Sequence, residues 1–244
     1  MPAPPHRRRE RTNQRAQLRE LLRVHDMVIA VLGHDLRGPL QSVELGAQVI
    51  FANPDDPETT TRMARTMQRA SRRMARLIDQ LLDVARVRLG SAIAVVPSEC
   101  DLGDIVGTAI SELEPAAARA RIVLDTSGDP HVTWDRDRVA QVLGTVLENA
   151  ARHGTADAPI TVTVDACGER VAIEVRNQGQ VPPELLPMLF DPFMRAESGG
   201  KRHGHGLGLY VVDQVVKAHG GAVRVDSTTA IGTSFRIELP RRAA

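Results

Sequence analysis

From Thr12 to Phe51 the apolar residues Leu18, Leu21, Val28, Leu32, Leu36 and Val43 recur at helical spacing, with Pro39 the one proline in the stretch, and they predict one long helix. The run Asn53-Pro54-Asp55-Asp56-Pro57 breaks it, and Asp56 followed by Pro57 and Glu58 has the form of a cap with proline near the first helical position. In the second helix Met63, Met67, Ala70, Met74, Leu77, Leu81 and Val84 fall alternately four and three residues apart, the spacing of a heptad seam. Two such helices cannot bury two apolar stripes against each other alone, whereas two hairpins share the core of a four-helix bundle. The pattern therefore predicts a homodimer; the competing reading is a monomeric hairpin packed on the second domain. Beyond Pro97 the periodicity alternates. Helices are predicted near 101–120, 135–153 and 206–218, with strands near 121–126, 160–166, 170–177, 222–227 and 233–239. The β-branched runs imply a mixed sheet covered by helices on one face.

A length of 244 residues, 42% of them hydrophobic and 25% charged, suffices for two modest domains. These are a dimerisation domain over 12–92 and an α/β domain over 98–244, preceded by a basic extension over 1–11. Only 2% of residues are aromatic, so the cores must be aliphatic. The formal charge of +1 hides an uneven start, with seven Arg against two Glu in the first twenty-five residues. Without interleaved aromatic residues this reads as a solvated helix entry rather than an arm for nucleic acid or lipid. No run of about 18 apolar residues and no signal-peptide core occurs, so the expectation is no membrane segment in this chain and a cytoplasmic location. Cys100 and Cys167 lack metal-like spacing and are expected to be small buried thiols.

Candidate chemistry sits in four short stretches. His34-Asp35-Leu36-Arg37-Gly38-Pro39-Leu40 places an imidazole just before a helix weakness, because Pro39 has no amide hydrogen for the Asp35 carbonyl and Gly38 loosens the same turn. The helix is expected to bend there and expose the ring. A near-neutral pKa makes the unprotonated, nucleophilic form of histidine abundant at cellular pH. Further on come Glu148-Asn149-Ala150-Ala151-Arg152-His153, then Leu189-Phe190-Asp191-Pro192-Phe193, then Gly204-His205-Gly206-Leu207-Gly208-Leu209. There is no Walker Gly-Lys-Ser/Thr and no dinucleotide glycine fingerprint, but glycines ahead of an apolar helical stretch can bring backbone amides close to phosphate.

In this order the stretches resemble the H, N, F and G2 boxes of bacterial two-component sensor histidine kinases. The resemblance covers nearly the whole chain. It implies an α-helical hairpin forming a dimeric four-helix bundle, followed by an α/β two-layer sandwich of the GHKL ATPase type. The implied activity is ATP-dependent phosphorylation of His34 and relay of the phosphoryl group to an aspartate of a response regulator, with Asp35 holding the ring. Implied nucleotide-binding residues are Asn149, Arg152, His153, Asn177, Gly179, Lys201, Gly204, Gly206, Leu207, Gly208 and Thr233, with Asn149 as the Mg2+ ligand; the glycine-rich, basic composition of Ser198 to His203 itself reads as a mobile lid over the triphosphate. A sensor domain or protein upstream, absent from this chain, is implied as well.

Three departures or distinctions matter. The family usually writes Asp-x-Gly-x-Gly where this chain has Asn177-Gln178-Gly179-Gln180-Val181-Pro182, so adenine recognition is expected to be looser. Position 38, where the family often has Thr or Asn to position water for phosphatase activity, is Gly38, and weak phosphatase activity is expected. Thr145 stands where hydrolytic GHKL ATPases use a Glu, which favours a kinase over a chaperone or repair ATPase. The alternatives are a degenerate kinase serving as a dimeric scaffold and a GHKL ATPase that is not a kinase.

Overall fold

The computed structural model describes residues 36–113, 121–155, 158–192, 194 and 206–243, which fall into two compact units divided after Ser91. His34, Asp35, Lys201 and Gly204, the lid over 198–203 and most of the predicted first helix lie outside the described residues.

The first unit is a hairpin of α1 (Arg37–Ala52) and α2 (Pro57–Arg88). Asp56 caps α2 by accepting from the amides of Glu58 and Thr59 at 3.1 and 3.0 Å, and Pro57 occupies the first turn, where a missing amide costs nothing. Those hydrogen bonds, the one from Thr59 foremost, hold the Asp56 carboxyl below its ordinary value. At the far end Gly90 takes φ +87° and the amide of Ser91 reaches back to the Arg86 carbonyl, the wrap that closes a helix with glycine. The helices approach closely where Gly46 faces Met67: a Cβ on the glycine would stand 2.6 Å from Met67 Cγ. Of the seam residues, Ala70, Leu81 and Val84 are buried, while Met63, Met67, Met74 and Leu77 are only half-covered. Leu45, Phe51, Ile78, Leu82 and Leu89 remain exposed.

The second unit has two layers. A five-stranded mixed sheet runs in the order β2 (Ile122–Gly128), β4 (Ile160–Ala166), β5 (Arg170–Asn177), β7 (Gly232–Pro240), β6 (Ala222–Thr228), with β2 parallel to β4 and the other pairs antiparallel. A parallel pair requires a crossover, and the segment between β2 and β4 supplies one through α4 (Arg136–His153). Strand alternation sorts the faces: Val162, Val164, Val171, Ile173, Val175, Phe235, Ile237 and Leu239 are buried. On the other face Arg236 pairs with Glu174 and Glu238, and Arg176 with Glu174. Helices α3 (Leu102–Ser111), α4 and α5 (Gly208–Ala218) supply the covering layer. Contacts of α4 with β4 and β5, and of α5 with β6 and β7, place it on the apolar side.

Two strands were not anticipated. β1 (Ser98–Asp101) and β3 (His131–Trp134) form a separate antiparallel pair, four residues each, too short to show a period of two. Tertiary contacts define them: Trp134 is fully buried and its indole N–H donates to the Pro240 carbonyl at 2.6 Å, while the Arg241 guanidinium donates to the carbonyls of Asp129, His131 and Ala166. Helix α3 ends at Ser111, short of the predicted residue 120; residues 114–120 lie outside the described range.

Asp135 anchors the start of α4. One carboxylate oxygen accepts from the Arg138 amide at 3.1 Å and the other from the Val96 amide at 2.9 Å. Its own amide donates to Nε2 of the buried His219, whose Nδ1–H donates to the Val215 carbonyl at 2.8 Å. The C-terminal residue after α5 thus pins the N-terminus of α4, and the two helices are held side by side.

Candidate functional site

Helix α4 is sorted by its 3.6-residue period. Val139, Val142, Leu143, Val146, Leu147 and Ala150 point into the core, leaving Thr145, Asn149, Arg152 and His153 along one flank. Thr145 and Asn149 are half-buried; Arg152 and His153 are exposed. From Thr145 to His153 this flank is about 12 Å long at the rise of an α-helix. Glycine-lined backbone meets it at both ends.

At the His153 end, β5 finishes at Asn177, which is 3% exposed, and the chain turns through Gly179. A Cβ on Gly179 would lie 2.0 Å from the His153 carbonyl oxygen, and one on Gly154 would lie 2.7 Å from the Ala150 carbonyl oxygen. Gly232 takes φ +75°, and a Cβ there would be 2.1 Å from the Asn177 carbonyl oxygen. Three backbone segments therefore converge at distances only glycine permits. A relay of donors fixes the turn: the Val181 amide donates to Ser227 Oγ at 2.9 Å, Ser227 and Thr233 share a hydroxyl bond of 2.8 Å, and Thr233 Oγ1 donates to the Gly179 carbonyl at 2.8 Å. Because the Thr233 proton is committed to Gly179, the proton between the two hydroxyls comes from Ser227.

Into this cradle projects an unmatched group. Among the described residues the Nδ2 of Asn177 is the one buried side-chain nitrogen or oxygen without a hydrogen-bond partner. A buried amide left unpaired costs about 1–3 kcal/mol, so its retention fits a position where a ligand supplies the partner. His153 borders the same cradle; though part of the side chain faces solvent, partial burial of the ring, and after it the charge of Arg152, lower its pKa from the ordinary imidazole value, favouring the neutral ring.

At the other end Gly206 takes φ +66°, Leu207 is buried, and Gly208 begins α5. A Cβ on Gly208 would stand 2.9 Å from Thr145 Cγ2, so the N-terminus of α5 abuts α4 one turn before Asn149. Free amides and the positive end of a helix dipole suit anionic groups. Thr145 offers no base, since its hydroxyl donates to the Gln141 carbonyl at 2.9 Å.

The structure thus brings Asn177, Gly179, His153 and Thr233 together at one end and Gly206, Leu207 and Gly208 at the other, with Asn149 and Arg152 on the flank between. Thr233 stands behind the cradle, its hydroxyl holding the turn. Gly154 and Ser227 were missed by sequence reasoning: Gly154 follows a helix end, where glycine is commonplace, and no local signal marks Ser227, whose role arises from pairing across the β6–β7 hairpin. No group of three or more His, Cys, Asp or Glu able to hold a metal occurs among the described residues. A divalent ion at Asn149 would therefore take most of its ligands from phosphate oxygens and water, which is the usual habit of Mg2+.

The cradle is a sensitive point for substitution. Gly179→Ala would drive a methyl group into the His153 backbone, a clash no side-chain rotation relieves. The expected cost is about 2–3 kcal/mol, or a melting temperature lower by about 6–9 °C in a thermal scan of the second unit.

Comparison with known proteins gives two family matches. The model of the His Kinase A (phospho-acceptor) domain covers residues 25–90, and that of the histidine kinase-, DNA gyrase B- and HSP90-like ATPase covers 134–243. The bacteriophytochrome of Pseudomonas aeruginosa is 35% identical over 92% of this chain and 31% of its own length. The sensor protein VanS of Enterococcus faecium is 30% identical over 95% of this chain and 60% of its own length. The chain spans from about one third to three fifths of the length of these curated relatives. Among solved structures, full-length ShkA in complex with AMPPNP aligns with TM-score 0.59 at 26% identity, covering 88% of this chain and 46% of that one. The mycobacterial sensor histidine kinase MprB aligns with TM-score 0.53 at 26% identity over 61% of this chain and all of that one.

Proposed function

On the premise that the chain belongs to the histidine kinases of two-component signalling, its phospho-acceptor domain followed by its ATPase domain, we propose that it phosphorylates its own His34 from ATP and passes the phosphoryl group to an aspartate of a response regulator. The observation that best supports this is the flank of α4, with an anion-suited helix end at Gly208 packed beside Thr145 and an unpaired buried amide at Asn177 beside the backbone that follows His153, at opposite ends of roughly 12 Å of helix.

ATP lies along the α4 flank in this reading, its base in the Gly154–Asn177–Gly179 cradle and its phosphates toward the α5 N-terminus. Asn149 contributes a neutral carboxamide oxygen to Mg2+, whose charge offsets that of the β- and γ-phosphates. Arg152 meets phosphate from the next turn, and Lys201 and Gly204 complete the phosphate end. At His34 the unprotonated ring nitrogen attacks the γ-phosphorus; a P–N bond forms, the bond to the β,γ-bridging oxygen breaks, and ADP leaves. The proton on the other ring nitrogen is held by Asp35, which keeps the attacking lone pair in line. Transfer onward exchanges the P–N bond for an acyl phosphate on the regulator.

The apolar side chains left exposed on the hairpin, including Leu45, Phe51, Ile78 and Leu82, support a four-helix bundle made with a second copy. No helix among the described residues is long and apolar enough to cross a membrane, and we place the core in the cytoplasm, where ATP and regulators are found. A sensory input comes from a domain or protein upstream.

Incubation with γ-labelled ATP and Mg2+, followed by addition of a receiver domain, tests the proposal. Label that enters this chain and then moves to the receiver is expected; nucleotide binding with no labelled chain would instead identify a dimeric scaffold. The same assay bears on Gly38. A Cβ at this exposed position meets no atom within 4 Å, so Gly38→Thr fits the native helix. Adding a hydroxyl there is expected to raise dephosphorylation of the phosphorylated receiver at least about tenfold, a conservative threshold below the roughly hundredfold that positioned proton transfer typically contributes. A rate unchanged by the substitution would remove Gly38 as the cause of weak phosphatase activity.

A further inference from the structure

We propose that the base pocket accepts guanine as well as adenine, with Asn177 as the residue that relaxes the choice. The inference rests on the reading of the α4 slot as a nucleotide site. A carboxylate at the end of β5 could only accept hydrogen bonds, so it would favour the 6-amino group of adenine and repel the 6-oxygen of guanine. A carboxamide carries both an acceptor and a donor on neighbouring atoms. Its Oδ1 takes the adenine 6-amino hydrogen while Nδ2–H donates to ring N1. After a half-turn about the terminal bond, Nδ2–H donates to the guanine 6-oxygen while Oδ1 takes the hydrogen on N1.

Two observations favour that freedom. Nδ2 has no hydrogen-bond partner among the described residues, so no internal bond of that nitrogen is broken when the amide turns. Around it stand glycines: the positions where a Cβ would be built on Gly179 and Gly154 lie 2.7 and 3.5 Å from Nδ2, and with hydrogen in their place no side chain presses on that nitrogen from these two positions. In either orientation the base satisfies an amide that is otherwise buried without a partner, so neither purine gains an advantage from that term.

Calorimetric titration of the full chain with non-hydrolysable ATP and GTP analogues and Mg2+ tests this. The expected dissociation constants agree within about tenfold, and Asn177→Asp raises the preference for adenine at least about tenfold by weakening guanine binding, the range of one hydrogen bond converted into a repulsion. Should the buried carboxylate unfold the protein, the wild-type chain and purine riboside triphosphate, which has no 6-substituent, decide instead: binding about tenfold weaker than that of both ATP and GTP is expected. An ATP analogue bound more than tenfold tighter than its GTP counterpart overturns the inference while leaving the kinase proposal intact. The same holds if Asn177→Asp leaves the ratio unchanged, or if loss of the 6-substituent has no effect. If neither nucleotide binds, the nucleotide-site reading itself fails, and this inference fails with it.

Discussion

Asn149→Ala is expected to slow autophosphorylation by about three orders of magnitude, equivalent to ~4 kcal/mol of lost transition-state stabilisation. The side chain is half-buried on the flank of α4, one turn beyond the point where the α5 N-terminus touches Thr145. No acidic or histidine cluster among the described residues could take over a metal ion there. Removing the carboxamide oxygen therefore leaves phosphate and water to hold the ion alone, and the charge developing on the leaving ADP loses its fixed counter-charge. Initial rates of label incorporation at saturating ATP measure the effect. Nucleotide affinity measured with Mg2+ and again with a chelator should differ in the native chain and converge in the variant. Retention of more than a tenth of the native rate would show that Asn149 is not the metal ligand.

His34→Gln is expected to remove all phosphoprotein while leaving nucleotide affinity within about twofold of native, a difference below ~0.5 kcal/mol. The separation follows from the division of the chain: Asn149, Asn177 and Gly208 belong to the second unit, whereas position 34 belongs to the first. Glutamine approximates the size and polarity of the imidazole but has no nucleophilic ring nitrogen. Loss of label together with loss of nucleotide binding would point to misfolding instead, which makes the calorimetric control part of the test.

Much of this architecture was legible in the chain, for identifiable reasons. The heptad spacing of Met63 to Val84 and the Asp56-Pro57 start marked α2 because cap chemistry and periodicity are local. Strands β4 and β5 fell on their predicted bounds since Ile160 to Ala166 and Arg170 to Asn177 alternate between a helix-covered and a charged face. What stayed hidden depends on distant partners. β1 and β3 are defined by each other and by Trp134 bonded to Pro240. At the site, Asn149 and the glycines near 206 were visible as motifs, and Asn177 as a departure from one. Thr233 was marked, but its task of holding the Gly179 carbonyl was not, and Ser227 gave no signal because its partners lie on other strands.

Where the phosphoryl group arrives decides whether this chain is a histidine kinase. Mass-spectrometric mapping of the chain after incubation with ATP and Mg2+, with replicate samples held in acid and in base, locates the bond and identifies its chemistry. A single modification on His34, lost in acid, retained in base and reduced about a thousandfold in initial rate in the Asn149→Ala variant, is the predicted result. Steady ATP turnover with no modified peptide, or an acid-stable phosphate on a serine or threonine, would contradict it.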